Sequence, residues 1–191
     1  MDPSEAETIE RMRRGDEAAL AALYQRHLDR VYRFAYRMTG TREDAEEIAG
    51  ETFLRAFRFA REYRGEGTFA SWLFRIARNL CADRFRRRRS VPTIGIEDLG
   101  IDPDRAEPGA GVSLLGQLDG AALSIVVRDA FHSLPTDYQV MLALRDIDEL
   151  TNREAADVIG RSPAAAKSLH FRARRALRDA LMQALGEEVF E

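Results

Sequence analysis

Cysteine, lysine, tryptophan and long apolar runs are scarce or missing in this sequence. Cys81 is the single cysteine among 191 residues, which excludes a disulfide framework within the chain and a multi-cysteine zinc site. No apolar run approaches the roughly 20 residues that span a bilayer, so we expect no membrane insertion of this chain. The acidic residues 1–5 lack the basic-then-apolar order of a signal peptide. We therefore predict a cytoplasmic protein.

The residues that catalysis requires do not form a group in this sequence. His27, His132 and His170 lie in three separate regions, and no pair of them has metal-ligand spacing. No glycine-rich phosphate loop is present. Cys81 falls near the inner face of its helix, which is typical of a buried structural thiol. We expect no catalytic residue, no metal site and no cofactor, and we predict that the chain is not an enzyme.

The formal net charge is only −3, but charge of each sign is clustered along the chain. Residues 55–89 contain eleven arginines against three acids, a balance of +8, and residues 161–178 contain six basic residues and no acid, a balance of +6. Residues 91–127 hold six acids against one arginine, a balance of −5. Lys167 is the one lysine among 29 basic residues, which a GC-rich genome or selection for phosphate contacts explains equally well. Two basic surfaces joined by an acidic segment indicate a DNA-binding protein.

Apolar periodicity is helical almost throughout, and no stretch alternates like a strand. Asp16 is predicted to cap a helix that Gly40 ends. Thr41 is predicted to start the next helix, with Asp44 reaching back to the free amides. The glycines within residues 63–68 predict a loop. A further helix is then expected to run into the four arginines that end at Arg89.

The pattern of a helix-turn-helix lies in residues 151–178. Thr151 and Glu154 form a capping box, Gly160 ends the short helix, and Ser162 caps a longer basic helix. Such a helix fits the major groove of duplex DNA, and its first turn attracts phosphate. The alternative is an ordinary helical hairpin with a solvated charged face.

These patterns predict an all-α fold of two small helical domains. An N-terminal helical bundle is expected in residues 1–90 and a C-terminal helix-turn-helix domain in residues 128–191. Residues 91–127 are rich in glycine and proline and are predicted to form a flexible acidic linker. We expect no fused regulatory domain after Glu191.

Aromatic residues alternate with arginines between Tyr63 and Arg89. A binding site for single-stranded nucleic acid combines aromatic rings, which stack on the bases, with a basic groove, which follows the backbone. The spacing of Phe69 and Trp72 is equally that of a helix core. Asn79 by itself is typical of a surface polar residue in the middle of a helix.

Two blocks of the sequence resemble the two domains of extracytoplasmic-function sigma factors. The N-terminal likeness rests on Asp44-Ala45-Glu46-Glu47-Ile48, Glu51-Thr52-Phe53-Leu54-Arg55-Ala56-Phe57, Ser71-Trp72-Leu73-Phe74-Arg75-Ile76-Ala77-Arg78-Asn79 and Asp83. The C-terminal likeness rests on Leu134-Pro135, Leu144-Arg145, Leu150-Thr151, Glu154-Ala155-Ala156, Gly160, Lys167-Ser168 and Arg172-Ala173-Arg174. Together, the two likenesses cover about residues 15–90 and 128–182, and they leave out the linker.

The resemblance implies a transcription initiation factor with three interfaces. The acidic helix would dock on the coiled coil of the largest catalytic subunit of core RNA polymerase, through Asp44, Glu46, Glu47, Ile48, Glu51, Phe53 and Leu54. The loop and the helix after it would capture the minus-ten element as single-stranded DNA, through Tyr63, Arg64, Thr68, Phe69, Trp72, Arg75, Arg78, Asn79 and Arg86. The C-terminal helix would read the minus-thirty-five element as duplex, through Arg161, Ser162, Lys167, Ser168, Arg172 and Arg175. The family also implies an anti-sigma partner, and association with the nucleoid through polymerase.

Three departures from the family pattern affect these interfaces. Gly50 stands where glutamine is common on the polymerase-facing surface, and a glycine within a helix costs about 1 kcal/mol relative to alanine. Residues 164–166 are all alanine where Gly-Thr-Val is usual, and Leu169 stands where arginine is common. A stand-alone dimeric helix-turn-helix regulator remains the alternative function. It explains residues 151–178 but leaves the basic and aromatic block of residues 63–89 without a role.

Overall fold

A computed structural model describes residues 5–63, 65, 67–90 and 120–185. All regular elements in these residues are helical, which confirms the all-α prediction. The helices are α1 (Glu5–Arg13), α2 (Glu17–Thr39), α3 (Arg42–Arg58), α4 (Phe69–Ser90), α5 (Gly120–Ser133), α6 (Thr136–Leu142), α7 (Asn152–Ile159) and α8 (Pro163–Leu185). A 3-10 turn at Ala60–Glu62 follows α3, and a π-helical turn at Ala143–Ile147 continues α6.

Capping residues determine where the N-terminal helices begin and end. The Asp16 carboxylate accepts hydrogen bonds from the amides of Ala18 and Ala19 and so starts α2. Gly40 ends α2 in the left-handed conformation, with φ 75°. Both positions were predicted from the sequence. α1 was not predicted, and it packs on α2 with Met12 buried.

The C-terminal half follows the predicted capping pattern more closely than the predicted boundaries. The Thr151 hydroxyl and the Glu154 carboxylate complete a reciprocal capping box at the start of α7, and Gly160 ends this helix with φ 68°. α5 begins at Gly120, eight residues before the predicted boundary at residue 128, and packs along α8. Most of the predicted linker, residues 91–119, lies outside the described residues.

The two halves of the chain share one continuous hydrophobic core. In the N-terminal half, α2 packs against α3 and α4, and Phe34 and Phe74 are almost fully buried between them. In the C-terminal half, α8 packs across α5, α6 and α7. α4 lies directly against α7, which joins the two halves. Within the described residues, no helix combines the length and the apolar character needed to cross a lipid bilayer.

Candidate nucleic-acid interface

The helix-turn-helix presents one continuous polar face on α8. The small residues Ala155, Ala166 and Ala173 are buried where α7 and α8 pack together. The Ser162 hydroxyl accepts a hydrogen bond from the amide of Ala165 at 3.2 Å and caps α8. All six residues predicted for duplex binding are exposed around the start and middle of this helix: Arg161, Ser162, Lys167, Ser168, Arg172 and Arg175.

Phe171 is a residue of this face that the sequence reasoning missed. Its side chain is 72 % exposed on α8, four positions after Lys167 and four before Arg175. Three- and four-residue spacing places side chains on the same face of a helix. The sequence does contain a signal for it, because a phenylalanine at this spacing falls among the basic residues and not on the buried side of the helix.

The loop before α4 rests on a cluster of aromatic rings. Tyr63 and Phe69 are 6 % and 1 % exposed, and their ring centroids lie 5.7 Å apart in an edge-to-face contact. Trp72 contacts both rings, at 5.0 Å from Tyr63 and 5.6 Å from Phe69. The Tyr63 hydroxyl donates to the carbonyl of Gly67 at 3.2 Å, and burial raises the pKa of this phenol. Both rings are enclosed under the loop, so direct contact with DNA, which was predicted for Tyr63 and Phe69, is not carried into the proposed interface.

A second residue that the sequence reasoning missed supports this cluster from below. His27 on α2 is buried, and its ring meets the Phe69 ring edge-on at 5.4 Å. Its Nε2 lies 2.7 Å from the Glu5 carboxylate, which brings α1 against the base of the cluster. Burial lowers the pKa of His27, and the Glu5 carboxylate opposes that shift. From the sequence, His27 was considered only as a catalytic or metal-binding residue. Its contacts with Glu5 and Phe69 come from residues distant in sequence, which no local pattern indicates.

The remaining residues predicted for the minus-ten element lie on the outer side of the loop and of α4. Trp72, Arg75 and Asn79 follow three- and four-residue spacing, which places them along one side of the helix. The members of this set that are exposed are Thr68, Arg75, Asn79 and Arg86, and those that are half-buried are Trp72 and Arg78. Arg64 lies outside the described residues.

The acidic helix α3 divides the predicted docking residues into exposed and buried ones. Glu46 and Glu47 are exposed, Glu51 is half-buried, and Leu54 is 62 % exposed. Ile48, Phe53 and Asp44 are 5 %, 1 % and 2 % exposed, so these three are not carried into the proposed docking surface.

Asp44 is held inside the N-terminal half by Arg84 of α4. The Arg84 Nε donates to the Asp44 carboxylate at 2.7 Å, and a second guanidinium nitrogen reaches Glu47 at 2.8 Å. The hydrogen bond with Asp44, together with the Glu47 carboxylate, raises the pKa of Arg84, and the contact joins α3 to α4. Asp44 was expected to reach back to the free amides of its helix. The Thr41 hydroxyl instead serves as the cap, accepting from the Asp44 amide at 3.4 Å.

A shallow groove of about 420 Å³ lies beside the exposed acids, between α2 and α3. Tyr24 and Tyr32 line its α2 side, and Glu46 and Gly50 line its α3 side. No atom lies within 4 Å of the position that a Cβ on Gly50 would occupy. The glycine that departs from the family pattern therefore opens onto this groove.

Comparison with known proteins identifies the two halves separately. Residues 23–91 match sigma-70 region 2, and residues 124–177 match sigma-70 region 4. The ECF RNA polymerase sigma factor SigM of Mycobacterium tuberculosis is 30 % identical over 174 residues, which cover 91 % of this chain and 83 % of that protein. The chain belongs to the ECF sigma factor family. The prediction of this family from sequence motifs is thereby confirmed.

Two further relatives are matched over only part of their length. SigE of Mycolicibacterium smegmatis is 36 % identical over 170 residues, which cover 87 % of this chain and 64 % of that protein. BldN of Streptomyces coelicolor is 36 % identical over 172 residues, which cover 90 % of this chain and 63 % of that protein. The chain thus spans about two thirds of the length of these two relatives.

Two solved structures share the fold of this sigma factor. CnrH in complex with the cytosolic domain of CnrY has a TM-score of 0.70 and 23 % identity, covering 95 % of this chain and 99 % of that one. The sigma factor RpoE from Bartonella quintana, in complex with the anti-sigma factor NepR, has a TM-score of 0.65 and 21 % identity. That match covers 84 % of this chain and 95 % of RpoE.

Proposed function

We propose that this chain binds core RNA polymerase, directs it to specific promoters and helps to melt the minus-ten element. The observation that carries the proposal is that one ECF sigma factor has two different exposed polar faces. One is a capped helix-turn-helix with an exposed basic face, and the other is a polar loop and helix supported by aromatic rings. Core polymerase, promoter DNA and an anti-sigma factor are the proposed partners.

The face on α8 is proposed to read the minus-thirty-five element as duplex DNA. Lys167, Arg172 and Arg175 supply charge for phosphates and donors for guanine edges. Phe171 supplies an apolar surface of the kind that contacts the methyl group of thymine. The exposed Ala164 in the first turn adds no polar group, so the charged residues and Phe171 provide most of the contacts.

The outer face of α4 is proposed to hold the minus-ten element as a single strand. Thr68 and Asn79 offer hydrogen bonds to a base edge, while Arg75 and Arg86 offer charge to the backbone. Taking a base out of the stack costs a few kcal/mol, which these contacts must offset. Tyr63 and Phe69 position the loop from beneath and do not touch the DNA.

The exposed part of α3 is proposed to dock on core polymerase. Glu46, Glu47 and Leu54 combine acidic groups with an exposed apolar side chain, as a helical docking surface requires. The proposed role is positional throughout, and the chain by itself catalyses no reaction. We place it in the bacterial cytoplasm, associated with the nucleoid through polymerase.

In vitro transcription with purified core polymerase on a randomised promoter pool tests this function. We expect transcripts that depend on the chain and share two upstream sequence motifs. The Leu54→Glu variant is expected to lose them, because it replaces the exposed apolar side chain of the proposed docking surface with a charge. Gln183→Glu, which adds the same charge at an exposed residue of α8, is expected to retain them. Absence of transcripts together with binding to duplex DNA without polymerase would favour the stand-alone regulator.

A further inference from the structure

The loop before α4 is held near both of its ends by the aromatic cluster beneath it. Tyr63 at its start packs edge-on against Phe69, and the Tyr63 hydroxyl donates to the carbonyl of Gly67 at 3.2 Å. Gly65 and Gly67 have positive φ angles of 74° and 81°. A backbone with two such glycines has access to many other conformations, so its position depends on the contacts that Tyr63 makes. The cluster therefore sets the position of Thr68, a residue of the proposed minus-ten face.

His27 connects this cluster to α1. Its ring centroid lies 5.4 Å from that of Phe69, and its Nε2 lies 2.7 Å from the Glu5 carboxylate. The His27 side chain is 7 % exposed, whereas that of Glu5 is 40 % exposed. Burial raises the pKa of Tyr63, and the nearby negative charge of Glu5 raises it further. One carboxylate of α1 therefore acts on two side chains at the base of the loop.

The charge state of His27 determines which of its atoms donates the hydrogen bond. Burial lowers the pKa of His27, the Glu5 carboxylate opposes this shift, and Arg30 and Arg26 add to it. At neutral pH the ring is therefore uncharged and carries a hydrogen on one of its two nitrogens. Because an ionised carboxylate only accepts, Nε2 carries that hydrogen and donates it to Glu5. A bond to an ionised acceptor is stronger than one between neutral groups, so it restrains the ring.

α1 also contacts the turn that leads into the loop. It packs against α2 and against the 3-10 turn at Ala60–Glu62, which directly precedes Tyr63. Glu5, Thr8 and Met12 follow three- and four-residue spacing, which places them on one side of α1. Thr8 and Met12 are 3 % and 2 % exposed, so this side faces the rest of the N-terminal half. α1 is thereby fixed against both α2 and the start of the loop.

We propose that Glu5 of α1 and His27 of α2 are positioning residues for capture of the minus-ten element. The hydrogen bond between them holds the His27 ring against Phe69, and Phe69 and Tyr63 in turn hold the loop in the conformation that receives the base. This inference rests on the proposed function of the outer face of α4. Neither residue touches DNA. A loop that is already in place lowers the cost of ordering on binding, so its loss should impair promoter opening and spare duplex binding by α8.

The test uses two disruptive variants, a conservative variant and a matched control, all in the full chain. Glu5→Ala removes the acceptor at a half-exposed side chain and leaves the buried core intact. Glu5→Gln is the conservative variant, because its amide oxygen still accepts from Nε2. His27→Phe keeps an aromatic ring and removes the donor. Glu10→Ala is the control, since it removes the same side chain from an exposed position of α1 whose ion pairs are local, with Arg13 and Arg14.

Trp72 provides a spectroscopic signal from within the cluster. It is the single tryptophan of the chain, it is half-buried, and its ring lies 5.0 Å from that of Tyr63 and 5.6 Å from that of Phe69. Its emission wavelength and its quenching by iodide therefore report whether the cluster is closed to water. The second measurement uses core polymerase on a selected promoter. It compares the affinity of the closed complex with the extent of promoter opening, followed by a fluorescent base in the minus-ten element.

We expect Glu5→Ala and His27→Phe to shift the Trp72 emission to longer wavelength and to lower promoter opening about fivefold, the effect of one hydrogen bond. The affinity of the closed complex should stay unchanged. Glu5→Gln and Glu10→Ala should behave like the wild type. The double variant of Glu5→Ala and His27→Phe should lose no more than either single variant, because both changes remove the same bond.

Other results would overturn the positioning role. Additive losses in the double variant would mean that Glu5 and His27 act independently. Equal losses in the closed complex and in opening would indicate damage to the fold, and a shift of the Trp72 emission without a loss of opening would show that the loop needs no support from α1. In each case the wild-type chain still opens promoters with core polymerase, whereas failure of the proposed function abolishes opening in the wild type as well.

Discussion

At the scale of single residues, burial separates the groups that hold the fold from those that can meet DNA. Tyr63 and Phe69 carry the aromatic pattern typical of single-strand binding, but both rings are enclosed. Asn79 carries no such pattern, yet it is exposed on the outer side of α4. Sequence alone could not separate the core residues from the exposed ones among those predicted to contact the minus-ten element. Aromatic residues at helical spacing occur both in helix cores and in stacking on bases.

Asn79→Ala is expected to impair the open complex more than the closed complex. An amide that bonds a single-stranded base acts only once the duplex has melted, so its loss removes a contact of about 1 kcal/mol from that step. Promoter opening, followed with a fluorescent base in the minus-ten element, should fall about fivefold to tenfold. Gln183→Ala on α8 serves as the control. Equal losses in both complexes would remove Asn79 from the proposed pocket.

Asp148→Asn is expected to change how stability depends on pH. Burial raises the pKa of Asp148 to about 6, against the opposing charges of Arg37, Arg30 and Arg33, while Asp29 acts in the same direction as burial. The folded state therefore favours the protonated carboxyl, and the wild type loses stability as pH rises from about 4 to about 6. Relative to Asp148→Asn, the loss should be about 3 kcal/mol.

Chemical denaturation of both proteins at pH 4.5 and pH 7 measures this difference. The wild type should be the less stable of the two at pH 7, with a smaller gap at pH 4.5. A constant difference across this range would mean that the Asp148 carboxylate stays ionised in the folded state.

At the scale of elements, the helix boundaries were predicted well wherever the cap is local. Asp16, Gly40, Thr151 and Gly160 act through backbone groups within a few residues, so the sequence contains the whole interaction. α1 and the first turns of α5 were missed. Both are short amphipathic segments whose stability comes from packing on α2 and α8.

Gly50→Ala is expected to stabilise α3. Gly50 is exposed, its backbone is helical, and a Cβ would meet no atom within 4 Å. Alanine should raise the free energy of unfolding by about 0.5–1 kcal/mol, measured by chemical denaturation. Gly160→Ala is the contrasting variant and should lower it, because Gly160 has φ 68°. Destabilisation by Gly50→Ala would mean that α3 is strained at this position.

Lys167→Ala is expected to weaken binding of α8 to duplex DNA through the loss of one phosphate contact. The slope of log affinity against log salt concentration should become shallower by about one. Titrations of a selected promoter duplex at several salt concentrations measure this slope. Arg13→Ala on α1 should leave it unchanged. An unaltered slope for Lys167→Ala would exclude a phosphate contact at this residue.

At the scale of the whole molecule, the sequence predicted the two helical halves but not their contact. The family resemblance and the capping motifs predicted which helices form, and the match to sigma-70 regions 2 and 4 confirms the family. The packing of α7 on α4, with Thr68 bonded to Glu154, joins residues 86 positions apart. Such a contact depends on the shapes of two finished surfaces, which no local pattern specifies.

In the proposed function, one chain uses two faces on two parts of one promoter. Footprinting of a selected promoter with core polymerase and the chain tests this claim most directly, with DNase I for the upstream duplex and permanganate for unstacked thymines. We predict upstream protection together with reactive thymines in the minus-ten element, both requiring polymerase and chain together. Upstream protection by the chain alone, with no reactive thymine when polymerase is added, would contradict the account.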